Sequence, residues 1–324
     1  MAQARTLAGV LAPRGSRLPD KAAEQPNRRP SITKMKPNGG YPAWLTSWLQ
    51  ILPLTIVLIA MFVLPALVFV AVSFFDYDRT GIYPAFMLES YREVLTSAST
   101  LRVYASTFKF AAIVWAITLF LGFNIAYFLI FHVRSSTWRA VLFILCAIPF
   151  FTSAIIRTIA WIPFLGRNGA FNQSLMGLGL TAHPLDFLLF SDFAVVVAYV
   201  HLYTLLMMGP IANSLSKIDR SLIEAARDAG ASRWQTMSNV VIPLSKTGIV
   251  LGSVLVTTQV MGDFFVVRQM SGGQSASIVS ALSVEIQAMQ YPPAAANAVI
   301  LVIIVAIMVA CMMRVVDVRK ELVK

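Results

Sequence analysis

Six windows of about 20 mostly apolar residues recur along the chain, and they fix its fold class before any motif is considered. A bilayer core about 30 Å thick needs roughly that many residues for one helical crossing. The windows run approximately over 49–75, 105–131, 140–164, 193–212, 247–267 and 294–313. The third carries Arg157 near its far end, and the fifth carries Gln259 and Asp263. With 57% hydrophobic and only 13% charged residues, an ordinary soluble domain is excluded. The expected fold is all-α: a polytopic membrane protein with six transmembrane helices and a polar cytoplasmic hairpin between the fourth and fifth.

Charge supplies an orientation. The segments before the first window, around His132, over 214–246 and after the last window hold 19 of the 26 Lys and Arg, while the intervening segments on the other side are close to neutral. By the positive-inside rule the basic side is cytoplasmic, with both termini inside. The basic residues are spread over tails and turns without a nucleic-acid-binding module, so anionic lipid is the expected partner and nucleic acid is not. Cys146 and Cys311 both fall in apolar windows without ligand spacing, and are expected to be buried thiols rather than a disulfide or a metal site.

Residues 1–43 are rich in Arg, Lys, Pro, Ala and Gly with no apolar period, and read as a disordered tail. They lack a secretory signal's apolar core, so the first membrane helix is expected to direct insertion. Arg28, Arg29, Lys34 and Lys36 serve there as a topological anchor. Tyr41, Trp44 and Trp48 form an interfacial belt. The expected divisions are that tail, the first crossing with its outer segment over 44–104, a core over 105–314 containing the hairpin at 214–246, and a tail over 315–324. Kinks are expected at Pro53, Pro65, Pro149 and Pro163, and a helix outside the membrane over 277–290, ended by Pro292 and Pro293. No solenoid period or inverted repeat is visible.

The polar hairpin, EAARDAGASRWQTMSNVVIPL from Glu224 to Leu244, carries the strongest local signals. Ser221 and Glu224 form an S-x-x-E capping box that starts one short helix, and Gly230 stops it. Ser232 and Gln235 repeat the device for a second helix with Trp234, Met237 and Val240 or Val241 at helical spacing, which Pro243 ends by restricting Ile242. Leu222, Ala225, Ala226 and Ala229 give the first helix a shallow apolar side. An amphipathic loop packed under the bundle would use the same devices, but not in this order.

That order resembles the signature loop of ATP-binding-cassette importer permeases, E-A-A-x3-G-x9-I-x-L-P. Glu224, Ala225, Ala226, Gly230 and Pro243 match it, while Val240 and Ile242 replace its two aliphatic positions conservatively. The resemblance spans about 105–314 and points in particular to the spermidine/putrescine permease group, through RTIAWIPFLGRNGAFNQSL, KIDRSLIEAARDAGAS and GDFFVVRQMSGG. It implies that the first hairpin helix docks into a groove on a separate ATPase subunit. Glu224 would supply polar contact, Ala225 and Ala226 close packing, and Gly230 the turn, with Asp228 and Pro243 in the same coupling segment. The implied partners are two ATP-binding subunits, a second homologous permease or another copy of this chain, and an extracytoplasmic solute-binding protein. No cofactor is implied, and relatives in the group handle iron, thiamine or opines as well as polyamines.

The chain has no G-x-x-x-x-G-K-[ST] phosphate loop, so it is not expected to hydrolyse ATP; Ser271-Gly272-Gly273-Gln274 mimics an ATPase peptide by coincidence. Polar groups at membrane depth cost about 2.5–3.5 kcal/mol on insertion scales, which makes Asp263, Gln259, Asn124 and His201 candidates for a solute pathway. Arg157 is expected to snorkel or to pair with an outer acid. For a polyamine, Asp263, Asp192 and Glu285 would attract ammonium groups, with Trp161, Tyr199 or Phe264 offering cation–π faces. The alternative is a self-sufficient secondary transporter or channel, whose intramembrane charges, paired broken helices and filter motifs are mostly missing. A membrane-embedded enzyme would need HExxH, GxSxG or clustered acids, none of which occurs.

Overall fold

Helices account for nearly every element of the computed structural model, which describes residues 43–77 and 81–314. The tails expected over 1–43 and 315–324 lie almost wholly outside the described residues, as do Tyr41 and the side chain of Trp44. Four helical segments are long and apolar enough to cross a membrane: Ser47–Val72, Ala98–His132, Asp192–Ser216 and Tyr291–Arg314. Two bent pairs raise the number to six if each pair is one span.

Proline explains where the helices depart from regular form. α1 (Ala43–Leu58) passes through a π-turn, Ile59–Val63, into α2 (Leu64–Val72), with Pro65 just beyond the turn. The wider turn lets the Leu64 amide reach the Ile59 carbonyl next to a residue that has no amide and crowds the preceding turn. Pro53, by contrast, sits inside α1 without a break. The helix up to Val57 belongs to a unit separate from the body that begins at Leu58.

In the body, a two-residue hairpin pairs β1 (Asp76–Tyr77) with β2 (Ile82–Tyr83), and α3 (Glu89–Thr96) leads into α4 (Ala98–Tyr127). α4 ends in a π-turn, Phe128–His132. The third window is not a straight crossing. α5 (Ser136–Ala147) tightens into a 3-10 turn at Ile148–Phe151, which contains Pro149, and the chain then turns by 93° into α6 (Ala154–Ile159), α7 (Trp161–Leu165) and α8 (Ala170–Gly177). α9 (Asp192–Ser216) is long and straight enough to span despite Pro210.

α10 (Arg220–Asp228), α11 (Arg233–Thr236) and α12 (Ile242–Leu244) make the hairpin, and a 68° bend separates it from α13 (Lys246–Gly262). The fifth window therefore ends earlier than its hydropathy suggests, because Asp263 leaves helical geometry and α14 (Phe265–Met270) starts anew. α15 (Ile278–Gln287) is capped by Ser277, whose Oγ accepts from the Ser280 amide at 3.2 Å. Pro292 and Pro293 do not end it. They lie in the first turn of α16 (Tyr291–Arg314), where a missing amide removes no helical hydrogen bond.

The core lies where α4, α9 and α13 pack, with Tyr199, Met207, Met208, Ile211, Phe110, Val114, Val256 and Met261 buried. Small residues let the backbones approach closely. A Cβ on Gly248 would stand 2.4 Å from the Pro210 carbonyl oxygen, and one on Gly252 would stand 2.7 Å from the Met207 Sδ. A Cβ on Gly122 of α4 would meet Met207 Cγ at 3.0 Å, so this methionine is wedged between glycines of two helices. Polar cross-links complete the packing: Trp115 Nε1 donates to Ser253 Oγ at 2.8 Å, and the Ile278 amide to Thr107 Oγ1 at 2.9 Å.

Both cysteines are free, but the expected burial fails in part: Cys311 is exposed, while Cys146 is half-buried and packs against the core. The Ser271–Gln274 stretch is a tight turn, with Gly272 and Gly273 at φ +60° and +83° and no room at Gly272 for a Cβ against Phe190.

Candidate functional site

The hairpin is built as two capped helices around a glycine, although its first cap differs from the sequence expectation. Asp219, not Ser221, is the N-cap of α10: its carboxylate accepts from the Ser221 amide at 3.0 Å, and hydrogen bonding by Ser221 holds that carboxylate below the usual range. Starting the helix two residues earlier places Ile223 against the body, where it is buried. Gly230 adopts φ +83°, and the amide of Ala231 closes back on the Ala226 carbonyl at 3.0 Å. The second box is complete: Ser232 Oγ accepts from the Gln235 amide, and Gln235 Oε1 from the Ser232 amide at 2.8 Å.

Pro243 does not end the second helix. A π-turn, Met237–Val241, precedes it, the Ile242 amide reaches the Met237 carbonyl, and the helical run bends only after Leu244.

α10 has two faces of different chemistry. Arg220, Ile223, Glu224 and Arg227 line a cavity of about 320 Å³ against Tyr127, Phe131, His132 and Arg134. Arg220 also donates to the Ile130 carbonyl at 3.2 Å, tying the helix beneath the end of α4. The opposite face carries Leu222, 48% exposed, with Ala225 and Ala229 also exposed and Asp228 beside them. Ala226 is half-buried between the two faces, and Trp234 of α11 is 75% exposed. Nothing among the described residues covers this apolar face of a polar, well-capped helix.

The candidates at membrane depth do not form one cluster. Asp263 Oδ1 accepts from the Val266 amide at 2.8 Å and from the Tyr199 hydroxyl at 3.3 Å, and its carbonyl accepts from Ser277 Oγ at 3.1 Å. It therefore joins the end of α13 to α9, α14 and α15. Tyr199 is buried and stacks on Tyr203 with ring centroids 5.7 Å apart.

Trp161 Nε1 donates to His201 Nδ1 at 3.0 Å, and the two line a cavity of about 300 Å³ with Arg157, Ala160 and Phe164. Arg157 does not pair with an outer acid among the described residues; its guanidinium lies 5.8 Å from the Phe150 ring. Asp192 is not a free attractor for cations, since Lys109 Nζ sits 2.5 Å from it and Ser275 donates to its other oxygen. Glu285 accepts from Asn297 Nδ2 at 3.0 and 3.2 Å; burial pushes its carboxyl up, against that hydrogen bond. Gln259 and Phe264 are exposed, and Asn124 is exposed beside an apolar groove, donating to the Phe120 carbonyl at 2.7 Å.

Sequence reading missed Lys109 as the partner of Asp192, and it missed the close packing at Gly248 and Gly252. The G-x-x-x-G spacing of those glycines is the available signal for the second. No sequence spacing links Lys109 to Asp192.

The chain is thus a multi-pass helical membrane body that carries a capped hairpin with an exposed apolar face. The chain belongs to the family of binding-protein-dependent transport system inner membrane components, which it matches over residues 118–321. It is thus an importer permease, a multi-pass inner membrane protein distinct from the ATPase subunit.

It is 32% identical over 247 residues to the spermidine/putrescine transport system permease protein PotB of Salmonella typhimurium, covering 76% of this chain and 85% of that protein. Against PotB of Escherichia coli K12 it is 31% identical, covering 76% and 88%. It is 26% identical to an osmoprotective compounds uptake permease, GgtC, of Synechocystis, covering 73% and 86%. Its fold matches the crystal structure of a bacterial ABC transporter involved in the import of alginate, with a TM-score of 0.70 at 17% identity, covering 84% of this chain and 94% of that one.

Proposed function

We propose that this permease carries a polyamine, and that its α10 face of Leu222, Ala225 and Ala229 receives the force of a separate ATPase. The observation that carries the coupling reading is that exposed apolar face on a helix fixed by a cap, a buried Ile223 and the Arg220 anchor. Two ATPase subunits, a second permease chain and an extracytoplasmic binding protein complete the proposed importer. Both termini and the 214–246 segment are cytoplasmic in this reading, with 44–104 as a first crossing added to a core over 105–314.

The polyamine assignment is supported by likeness to PotB permeases over most of their length. Asp263 with Tyr199 and Tyr203 offers one acid beside two aromatic rings, the chemistry an ammonium group uses. Asp263→Asn tests it cleanly, because an amide oxygen keeps the cap on α14 and only the charge is lost. The expected result is a spermidine KM raised about tenfold, roughly 1.4 kcal/mol, in vesicles holding the whole importer. Unchanged uptake removes Asp263 from the pathway.

A further inference from the structure

A second, cationic cavity lies on the body side of the hairpin and plays no part in the coupling proposed above. The 320 Å³ cavity beneath α10 adjoins another of about 400 Å³ lined by Arg233, Thr236, Met237 and Val241, and the two share Tyr127, His132 and Arg227. Together they bring His132 and Arg134 from the end of α4 next to Arg220 and Arg227 of α10 and Arg233 of α11. Glu224 is the one carboxylate in the combined lining, and none of these arginines has an ion-pair partner among the described residues.

Four guanidinium groups face these two adjoining cavities with Glu224 as the one carboxylate among them, and the forked donors of arginine suit phosphate oxygens. The floor is aromatic, from Tyr127 and Phe131, so the space accepts a charged head with an apolar attachment. A docked partner on the exposed side of α10 does not reach it, because Arg220, Ile223 and Arg227 lie on one face of that helix while Leu222, Ala225 and Ala229 lie on the other. Among the described residues, the main-chain tie from these arginines into the body is Arg220 to Ile130.

We propose that this cavity binds a phosphate group, and that the bound phosphate links the hairpin to the end of α4. The same chemistry is offered by the headgroup of an anionic phospholipid and by free inorganic phosphate, and the experiment separates them. The whole importer in detergent is exposed to phosphatidylglycerol or phosphatidylcholine and read by native mass spectrometry, while inorganic phosphate is followed in parallel by calorimetry.

The paired variant Arg134→Gln with Arg227→Gln is expected to lower retention of the phosphate ligand about tenfold, the loss of one charge-assisted hydrogen bond or more. The pair Arg134→Lys with Arg227→Lys should recover part of it, which a merely misfolded hairpin would not. Selective retention of phosphatidylglycerol assigns the lipid as the source; binding of inorganic phosphate without lipid selectivity assigns the free anion. If the glutamine pair, still assembled with its ATPase, binds both probes as the unaltered protein does, or if neither probe binds, the proposal is wrong. Failure here leaves the coupling face untouched, since loss of ATPase association is scored separately.

Discussion

Replacing Ala225 with aspartate is expected to abolish ATP-driven uptake while the chain still inserts in the membrane and folds. Ala225 is exposed on α10, so its side chain has little packing among the described residues to lose. An aspartate there disturbs little until a partner covers it. Once covered, an uncompensated carboxylate costs about 3–5 kcal/mol, enough to weaken association more than about a hundredfold.

Ala226→Asp should give the same phenotype with an added loss of hairpin stability, because Ala226 is already half-buried. Ala225→Ser keeps the volume small and should transport normally. The measurements are co-purification of the ATPase and solute-stimulated ATP hydrolysis. Normal values for both with Ala225→Asp would show that α10 is not the docking helix.

The second large effect is expected at Gly252, inside the membrane body. A leucine there places its Cβ 2.7 Å from Met207 Sδ and 3.0 Å from the Met207 carbonyl oxygen. The sulfur belongs to a flexible side chain but has little room to move, because Gly122 presses on the same methionine from α4. Overpacking of this kind costs about 1–3 kcal/mol, and at Gly248 more, since the obstacle is backbone, the Pro210 carbonyl oxygen at 2.4 Å.

Gly252→Leu and Gly248→Leu should therefore lower the thermal unfolding temperature in detergent and reduce the yield of folded protein. Gly252→Leu combined with Met207→Ala should recover part of the loss, because the smaller side chain vacates the space. A melting temperature unchanged in both single variants would contradict the close approach of α9 and α13.

The two expectations differ in how they could be reached. The capped hairpin was legible because the devices that shape it are local, and the proposed docking face follows from its likeness to the permease signature loop. Gly230 needs only its own left-handed backbone, and Ser232 with Gln235 needs only four residues of chain. Even so, the start of α10 was misplaced, since Asp219 and Ser221 both offer caps. Burying Ile223 against the body favours the earlier one.

Helix ends next to proline were also read too simply. At Pro65 and Pro243 the chain widens into a π-turn and continues, whereas at Pro149 it tightens and bends. Hydropathy carries no information on which of these a helix will choose, because neighbouring helices decide where the released carbonyl points.

By itself, the sequence determined the class of the protein, an all-helical membrane permease with a capped polar hairpin. Apolar length and local caps follow from a few adjacent residues and the thickness of a bilayer. Only the tertiary structure decided which polar groups meet: Asp192 with Lys109, Asp263 with Tyr199, Trp161 with His201, and Arg134 lining one cavity with Arg220 and Arg227 of α10. These pairs join residues tens of positions apart on different helices. Their distances depend on how closely α4, α9 and α13 pack, and that is set by glycines facing Met207 and Pro210, not by any local pattern.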